Sequence, residues 1–331
     1  MKKINRSLLD IIQSSLVGLA VGDALGVPVE FMSRKDVRKV NLTEMIGKDT
    51  PITFESRWGN LIPAGAWSDD TSMTIASMES MINQGGDIDY DDVMTHFLNW
   101  WKNGAYCSLN FPFGLGSTVS RAMDNYRLEY PVTECGPKGM WDNGNGALMR
   151  ILPFSLYCIF RGRDTEKTVG IINTATAITH GHPISQMGSL IFTLFLEELM
   201  RTDSISSAWE RTRRFNYSSY YDSVALDAYK MLLSDEFMTA GENAIGETGY
   251  VVDSLMAAVY SILEGNTFED TILTAINLGY DTDTNAAITG ALAGVFYGME
   301  DIPERWLNAL RRRDYLKDVA ERFIGALEKT V

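Results

Sequence analysis

Apolar residues recur at helical spacing along most of the chain, and this periodicity constrains the fold more than any other feature. The first segment shows it in residues three or four apart: Leu8, Ile11, Ile12, Leu16 and Leu19. Such spacing places apolar side chains on one face of a helix. Alternating strand patterns are scarce, and only residues 52–54 could form a short extended piece. The sequence therefore predicts an all-α fold.

The same periodicity predicts individual helices, with ends accurate to a few residues. They cover residues 7–21, 71–83, 90–101, 117–126, 146–160, 164–179, 184–200, 220–233, 250–263, 268–278, 284–297 and 303–311. Glycine-rich and polar loops separate them, and sites usually form where such loops gather at one end of a helical scaffold. No linker or internal repeat divides the chain, so residues 1–331 are predicted to form a single domain.

Charge and cysteine content limit the partners and the compartment. The formal net charge of −14 disfavours nucleic acids and anionic membranes, which bind through neutralised phosphates. Three cysteines without a CxxC pattern indicate a reducing, cytoplasmic setting. The N-terminal apolar run is interrupted by Asp10 and Gln13, which favours an amphipathic helix over a signal peptide. No segment is expected to span a bilayer.

Two aspartate-rich segments stand at predicted helix starts. WSDDT supplies Ser68, Asp69 and Asp70, and YDTDT supplies Asp281 and Asp283. Either motif alone is explained by helix capping and by the helix dipole. One cap, however, needs only one side chain. If the two helix starts meet, four carboxylates face one another and repel unless they are protonated or bind cations.

Carboxylate and hydroxyl oxygens favour hard ions such as Mg²⁺, Mn²⁺ or Ca²⁺ over Zn²⁺. The helix that follows Asp283 carries Gly290, Gly294 and Gly298 at intervals of four. This thin face permits close contact with another helix. The pattern therefore predicts a central, buried helix that holds the second aspartate motif rigidly.

Five segments together resemble the ADP-ribosylglycohydrolase family, which includes the dinitrogenase reductase-activating glycohydrolase, ADP-ribosylarginine and ADP-ribosylserine hydrolases and the J-type crystallins. In chain order they are GLAVGDALGVPVEF (18–31), GAWSDDTSM (65–73), GNGALMRILP (144–153), ITHGHP (178–183) and LGYDTDTNAAITGALAGVFYG (278–298). The resemblance implies a compact, orthogonal multi-helix domain with a central dinuclear metal site. It also implies a metal-dependent hydrolase that cleaves the ribose C1″ bond of ADP-ribosylated protein or of a small ADP-ribose conjugate.

The resemblance also implies a role for each matching residue. Two Mg²⁺ or Mn²⁺ ions would be held by Ser68, Asp69, Asp70, Asp281, Asp283 and Thr284. Catalysis would fall to Glu30, Asp69 and Asp70. ADP-ribose would be bound by Glu30, Phe113, Gly114, Leu115, Gly116, Ser117, Asn143, Gly144, Asn145 and His180. Glycine N–H groups in these loops can bind a diphosphate without basic side chains.

Three positions depart from the family pattern. Ser68 replaces a more usual Thr, and Tyr280 stands where Gly is frequent. Gly114 stands at the position of an aspartate that has a catalytic role in the nitrogenase-type hydrolase. That last departure leaves the acceptor linkage and the catalytic base open.

Two other functions remain compatible with the sequence. The chain could be a non-catalytic, crystallin-like protein that binds ADP-ribose or metal. It could also be a di-metal phosphohydrolase. Release of ADP-ribose, binding without turnover, or release of inorganic phosphate distinguishes the three.

Overall fold

The computed structural model describes residues 6–329, and helices dominate this part of the chain. No strand forms among these residues, and one isolated antiparallel bridge joins Gly144 to Tyr250. The α-helices in chain order are α1 (Leu8–Gly26), α2 (Arg34–Val40), α3 (Asp69–Asn83), α4 (Tyr90–Asn103), α5 (Ser117–Arg127), α6 (Leu152–Phe160), α7 (Thr165–Ala177), α8 (Pro183–Arg201), α9 (Ile205–Arg213), α10 (Ser223–Ala228), α11 (Phe237–Ala240), α12 (Val251–Glu264), α13 (Phe268–Asn277), α14 (Thr282–Tyr297), α15 (Glu304–Ala309) and α16 (Arg313–Glu328). The all-α prediction is confirmed.

Helices α1 and α14 form the centre of the fold, and their backbones touch. Both helices carry glycine where they cross. A Cβ atom at Gly290 would lie 2.1 Å from the carbonyl oxygen of Gly18, and one at Gly22 would lie 2.0 Å from the carbonyl oxygen of Ala286. Every residue of α14 from Thr282 to Val295 is buried. The prediction of a thin, central helix is confirmed.

The first helix differs from its prediction in two respects. It is buried on nearly all sides instead of amphipathic, because α3, α14 and α16 pack around it. The segment Leu8–Val29 is also long and apolar enough to cross a membrane, so the expectation that no segment meets this criterion was wrong. About 78% of its most apolar window is buried inside the protein, as in the core helix of a soluble fold.

Several helices escaped the sequence pattern or ended elsewhere. Helices α2, α9, α11 and α16 were not predicted. The predicted helix 220–233 is helical over only Ser223–Ala228, and 146–160 becomes a 3-10 turn at Leu148–Arg150 before α6 begins. Residues 52–54 form no strand. In α16 the helical spacing was present in the sequence, since its buried residues are Leu316, Val319, Ala320, Phe323, Ala326 and Leu327.

The packing of α1 on α14 fixes where the polar loops meet. The C-terminal end of α1 lies against the N-terminus of α14, so that a Cβ atom at Gly26 would lie 2.4 Å from the backbone nitrogen of Asp283. The hydroxyl of Thr282 donates a hydrogen bond of 2.8 Å to the carbonyl oxygen of Gly26. Helix α3 also packs on both α1 and α14. The starts of α3 and α14 therefore converge beside the end of α1.

The contact between α1 and α14 predicts that Gly290→Ala destabilises the protein. The added Cβ would meet backbone rather than a movable side chain, and overpacking of this kind costs about 1–3 kcal/mol or more. The measurement is the free energy of unfolding in denaturant.

The matched control is Gly170→Ala in α7, an exposed position where an added Cβ meets nothing within 4 Å. This variant is expected to be stabilised by roughly 0.5–1 kcal/mol, because alanine favours helix more than glycine does. Equal stability of the two variants would contradict the backbone contact.

Candidate metal centre and substrate pocket

The start of α3 is organised by a serine cap and by an aspartate from α1. Ser68 accepts a hydrogen bond from the backbone N–H of Asp70 at 3.4 Å, and its hydroxyl donates to Oδ2 of Asp70 at 2.8 Å. Asp23 accepts from the N–H of Ser68 at 2.9 Å, and from the N–H and hydroxyl of Thr71 at 3.1 and 2.6 Å. Capping here therefore uses Ser68, and neither Asp69 nor Asp70 is needed for it.

The start of α14 is arranged differently. Asp281 is the N-terminal flanking residue of α14 but makes no side-chain cap. Its Oδ2 accepts a hydrogen bond of 2.7 Å from the amide of Asn145, which also donates to the hydroxyl of Ser254 at 2.8 Å. Oδ1 of Asp283 accepts from the adjacent N–H of Thr284, at 2.9 Å. Capping does not explain the Asp281 carboxylate.

The two aspartate motifs meet, as the sequence predicted for converging helix starts. One oxygen each from Asp23, Asp70 and Asp283 lie within 4.8 Å of one another. A second group with the same spacing consists of Glu30, Asp281 and Asp283. Asp283 belongs to both groups and joins them into one cluster. We call these five residues the carboxylate cluster.

Burial makes the carboxylate cluster costly to ionise. Burial, followed by the charge of Asp281, raises the pKa of Glu30 to about 8. Burial, followed by the charge of Asp23, likewise raises the pKa of the neighbouring Asp69 to about 8. The pKa values of Asp70 and Asp283 lie well above their ordinary range, mainly because both are buried. Cations or protons must compensate such a cluster.

The donor set fits divalent cations of the hard class. All members of both groups offer carboxylate oxygens, the ligands that Mg²⁺ and Mn²⁺ favour. Oδ1 of Asp70 is buried and has no hydrogen-bond partner among residues 6–329. A buried polar atom without a partner is rare in native proteins and calls for an explanation such as an ion. The residues present therefore suit a metal site.

A cavity of about 320 Å³ opens beside the carboxylate cluster. Its lining includes eleven of the predicted site residues: Glu30, Asp69, Gly114, Gly116, Ser117, Gly144, Asn145, His180, Asp281, Asp283 and Thr284. The remaining lining residues are Phe31, Thr118, Val119, Met149, Gly146, Gly249 and Tyr280. Residues distant in sequence thus form one pocket against the acidic centre.

Five predicted site residues do not line this cavity. Ser68 and Asp70 lie deeper, at the start of α3. Phe113 packs in a small apolar cluster and against the ring of Trp58, at 5.3 Å between ring centroids. Leu115 packs against the main core. Asn143 donates to the carbonyl of Met140 and accepts from Ser185, so it anchors its loop instead of facing the pocket.

Gly114 occupies a position where no side chain fits. Its φ is +92°, a region that favours glycine. A Cβ atom there would lie 2.1 Å from Oδ1 of Asp69. In this arrangement of Asp69, the aspartate that one family branch carries at the matching position would be excluded by contact. Glycine therefore suits the backbone conformation at position 114.

Two aromatic residues stand at the edge of the pocket beside Glu30. Phe31 and Tyr280 make an edge-to-face contact, with ring centroids 5.4 Å apart. Both adopt left-handed backbone conformations, with φ of 65° and 61°. Their segments are tied by two backbone hydrogen bonds, from Phe31 to Tyr280 at 2.5 Å and from Tyr280 to Met32 at 2.7 Å. The positive φ at position 280 explains why glycine suits it. The side chain of Tyr280 lines the cavity and therefore shapes the pocket.

Sequence reasoning missed three residues in or beside the carboxylate cluster. Asp23 lies in the apolar run of α1, and a lone carboxylate in such a run was the available signal. Trp58 donates its indole N–H to Oε2 of Glu30 and comes from a loop without helical pattern. Arg57 stands beside it, over the rings of both Phe31 and Trp58 at 4.8 Å. No local pattern marks these two loop residues.

Comparison with known proteins gives one consistent result. The profile of the ADP-ribosylglycohydrolase family matches residues 5–330. A solved structure described as an ADP-ribosylglycohydrolase-related protein complex superposes with a TM-score of 0.74 at 26% identity, covering 99% of each chain.

Curated relatives agree with that match. The ADP-ribosylarginine hydrolase Tri1 of Serratia proteamaculans is 30% identical, over 95% of this chain and 78% of its own length. The ADP-ribosyl-[dinitrogen reductase] glycohydrolase of Rhodospirillum rubrum is also 30% identical, over 92% of this chain and 91% of its own. The mouse ADP-ribosylhydrolase ARH3 is 25% identical, over 88% and 85%.

The carboxylate cluster predicts how stability depends on pH. Unfolded aspartate and glutamate titrate near 3.8 and 4.5, whereas Glu30 and Asp69 titrate at about 8 in the folded protein. Between these values the folded state binds more protons. The free energy of unfolding of metal-free protein should therefore fall as pH rises from about 4 to about 8, and unfolding curves in a chelator check this. A rising free energy over that range would contradict the raised pKa values.

The shared position of Asp283 predicts the response to metal. With cation at about 100 times its dissociation constant, wild-type protein should gain about 2.7 kcal/mol, seen as a higher melting temperature in Mn²⁺. Asp283→Asn should lose this gain, and in chelator it should be at least as stable as wild type because repulsion is relieved. Asp203→Asn, the same change at an exposed position, should retain the gain. A full metal response in Asp283→Asn would refute the site.

Proposed function

The chain belongs to the ADP-ribosylglycohydrolase family and is a hydrolase of ADP-ribosyl glycosidic bonds; from this premise we propose a metal-dependent reaction at the carboxylate cluster. Two divalent cations, Mg²⁺ or Mn²⁺, are the cofactors. The ligand oxygens come from Ser68, Asp69, Asp70, Asp281, Asp283 and Thr284. The substrate is an ADP-ribosylated protein or a small ADP-ribose conjugate, cleaved at the ribose C1″ bond by a single domain of residues 1–331.

The observation that carries this proposal is the position of Asp283 in two groups of three carboxylates, each within 4.8 Å. Two overlapping groups suit two cations that share Asp283 as a ligand. Glu30 belongs to the second group, and we assign it to the reaction, with Asp281, Asp283 and Thr284 as the ligands at that position. The partnerless Oδ1 of Asp70 supports the same assignment. Asp23, which sequence reasoning did not include, orients the start of α3 through three hydrogen bonds and is a candidate ligand as well.

The pocket supports recognition of a diphosphate without exposed basic side chains. Gly114, Gly116 and Ser117 line the cavity at the start of α5. Gly116 flanks that helix and leaves its first turn without a side-chain cap. Uncapped N–H groups at a helix N-terminus favour phosphate. Gly144 and Asn145 also line the cavity. We assign Phe113, Leu115 and Asn143 to holding these loops in place.

In the proposed mechanism, the chain's own residues position the ribose and move one proton. The cations, when bound, orient ribose hydroxyls and stabilise negative charge near the scissile bond. Glu30 faces the cavity and has a pKa of about 8 without metal. It accepts the proton of the attacking water, or its charge stabilises the oxocarbenium-like carbon. The Trp58 N–H holds the Glu30 carboxylate in orientation. Asp69 and Asp70 complete the catalytic set as ligands at the reacting centre.

The compartment proposed is the cytoplasm. Cys107, Cys135 and Cys158 are free and buried, which agrees with a reducing environment. The acidic surface supports a small-molecule or protein substrate over nucleic acid or membrane.

A panel of substrates tests the reaction. Purified protein with Mg²⁺ or Mn²⁺ is expected to release ADP-ribose from at least one of three conjugates, linked through arginine, through serine, or to an O-acetyl group. Chelator should stop the release. Metal-loaded, folded protein that releases nothing but binds ADP-ribose would indicate the non-catalytic alternative. Release of inorganic phosphate from nucleotides would indicate a phosphohydrolase.

Replacement of Glu30 separates catalysis from metal binding. Glu30→Gln should lower kcat by about 10²–10⁴-fold, because a general base is lost. The rise of melting temperature in Mn²⁺ should remain. Glu55→Gln is the control, an exposed glutamate on the neighbouring loop. If Glu30→Gln retains full kcat, the assigned role is wrong; if it loses the Mn²⁺ response, Glu30 is a ligand instead.

A further inference from the structure

A buried arginine lies behind the pocket wall without an ionic partner. Arg150 has no exposed surface, and no carboxylate pairs with it among residues 6–329. Its Nη2 donates to the carbonyl of Ala175 at 2.9 Å and to the hydroxyl of Thr179 at 2.6 Å, while Nε and Nη1 have no partner in the described part of the chain. The guanidinium lies 4.9 Å from the ring of Phe97. Burial of an unpaired charge is costly, so its contacts call for an explanation.

The hydroxyl of Thr179 connects Arg150 to His180. Oγ1 of Thr179 lies 3.0 Å from Nδ1 of the histidine. Arginine has only donors, so this hydroxyl oxygen accepts from Arg150. The hydroxyl hydrogen of Thr179 is then available for donation to Nδ1 of His180, which is the other partner of this hydroxyl in the described chain. A ring nitrogen that accepts carries no proton in a neutral histidine. Donation from Thr179 thus favours the tautomer of His180 that carries its proton on Nε2.

Nε2 of His180 faces the pocket. A Cβ atom at Gly144 would lie 3.6 Å from Nε2, and one at Gly146 would lie 3.0 Å from Cε1 and 3.5 Å from Nε2. Both glycines and His180 line the cavity. No hydrogen bond engages Nε2 within residues 6–329. The missing side chains of the two glycines thus leave this edge of the ring open to a ligand.

The surroundings also keep the ring neutral. Burial, and next the charge of Arg150, lower the pKa of His180 to about 3, against a smaller opposing effect of Asp142. Arg121, which pairs with Asp142, adds to the lowering. A neutral ring with a fixed tautomer donates one hydrogen bond across the physiological pH range.

We propose that Arg150 and Thr179 are positioning residues that hold His180 as its Nε2–H tautomer, and that this N–H donates to an oxygen of the bound ADP-ribosyl group. The inference rests on the proposed function for its ligand. It assigns the buried arginine a role through a two-step hydrogen-bond relay. Arg150 does not touch substrate.

A purely structural role for Arg150 must be separated from this one. Arg150 also binds the carbonyl of Ala175 in the last turn of α7, and cationic groups stabilise helix C-termini. Arg150→Met would remove both contacts together. Thr179→Val removes only the relay hydroxyl and keeps a side chain of the same shape. Thr179→Ser restores the hydroxyl and serves as the matched rescue.

The first measurement is the tautomer of His180 in ligand-free protein, from long-range ¹H–¹⁵N correlation spectra. The chain has three histidines, so His96→Gln and His182→Gln complete the assignment. Wild type and Thr179→Ser should show the Nε2–H form. Thr179→Val should show the Nδ1–H form or a mixture. A wild-type Nδ1–H form, or a Thr179→Val spectrum equal to wild type, would overturn the relay.

The second measurement is the affinity for ADP-ribose in Mg²⁺ by calorimetry. Thr179→Val should weaken binding by about tenfold, the effect of one hydrogen bond of about 1.4 kcal/mol. Thr179→Ser and His182→Gln should bind as wild type does. An altered tautomer with unchanged affinity would overturn the role of Nε2–H while leaving the proposed function intact. If wild type binds no ADP-ribose, the proposed function and the ligand half of this inference both fail, and the tautomer spectra still decide the relay.

Discussion

The crowding of buried carboxylates at one point is the constraint on which the rest of the structure depends. Asp23, Asp70 and Asp283 come from three helices, and each is buried. They can be brought this close only because α1 and α14 pack backbone to backbone through glycine and alanine. Such a cluster is costly without cations. The close backbone contact between α1 and α14 therefore holds together groups that repel one another.

The pocket beside this cluster has two chemically different halves. The carboxylate half suits cations and the ribose. The other half is formed by Gly114, Gly116, the start of α5 and the 144–146 loop, and it offers backbone N–H groups and a neutral histidine. A protein with a net charge of −14 can in this way bind an anionic ligand. The positive charge of Arg150 is kept behind the wall, where it acts through Thr179.

Loop geometry decides which side chains face the ligand. In the 113–117 loop, the glycines lie along the cavity while Phe113 and Leu115 turn into apolar packing. Gly114 approaches the Asp69 carboxylate so closely that a Cβ atom would lie 2.1 Å from its Oδ1. A side chain at position 114 would require Asp69 to move, and the positive φ there favours glycine. Glu30, which accepts a hydrogen bond from Trp58, lines the cavity together with Asp69, Asp281 and Asp283, and it is the carboxylate that we propose as the base.

The sequence by itself determined the all-α class, most of the long helices, the thin α14 face and the position of two aspartate motifs at helix starts. These follow from periodicity and helix-end chemistry, which act over a few residues. The sequence could also have predicted α16, because its apolar residues have regular helical spacing. Only the tertiary structure decided that Asp23 joins the carboxylate cluster and that Trp58 donates a hydrogen bond to Glu30. It also decided that Phe113, Leu115 and Asn143 turn away from the cavity. The link from Arg150 through Thr179 to His180 is a further tertiary contact. These contacts join residues far apart in sequence or depend on loop direction, and local patterns encode neither.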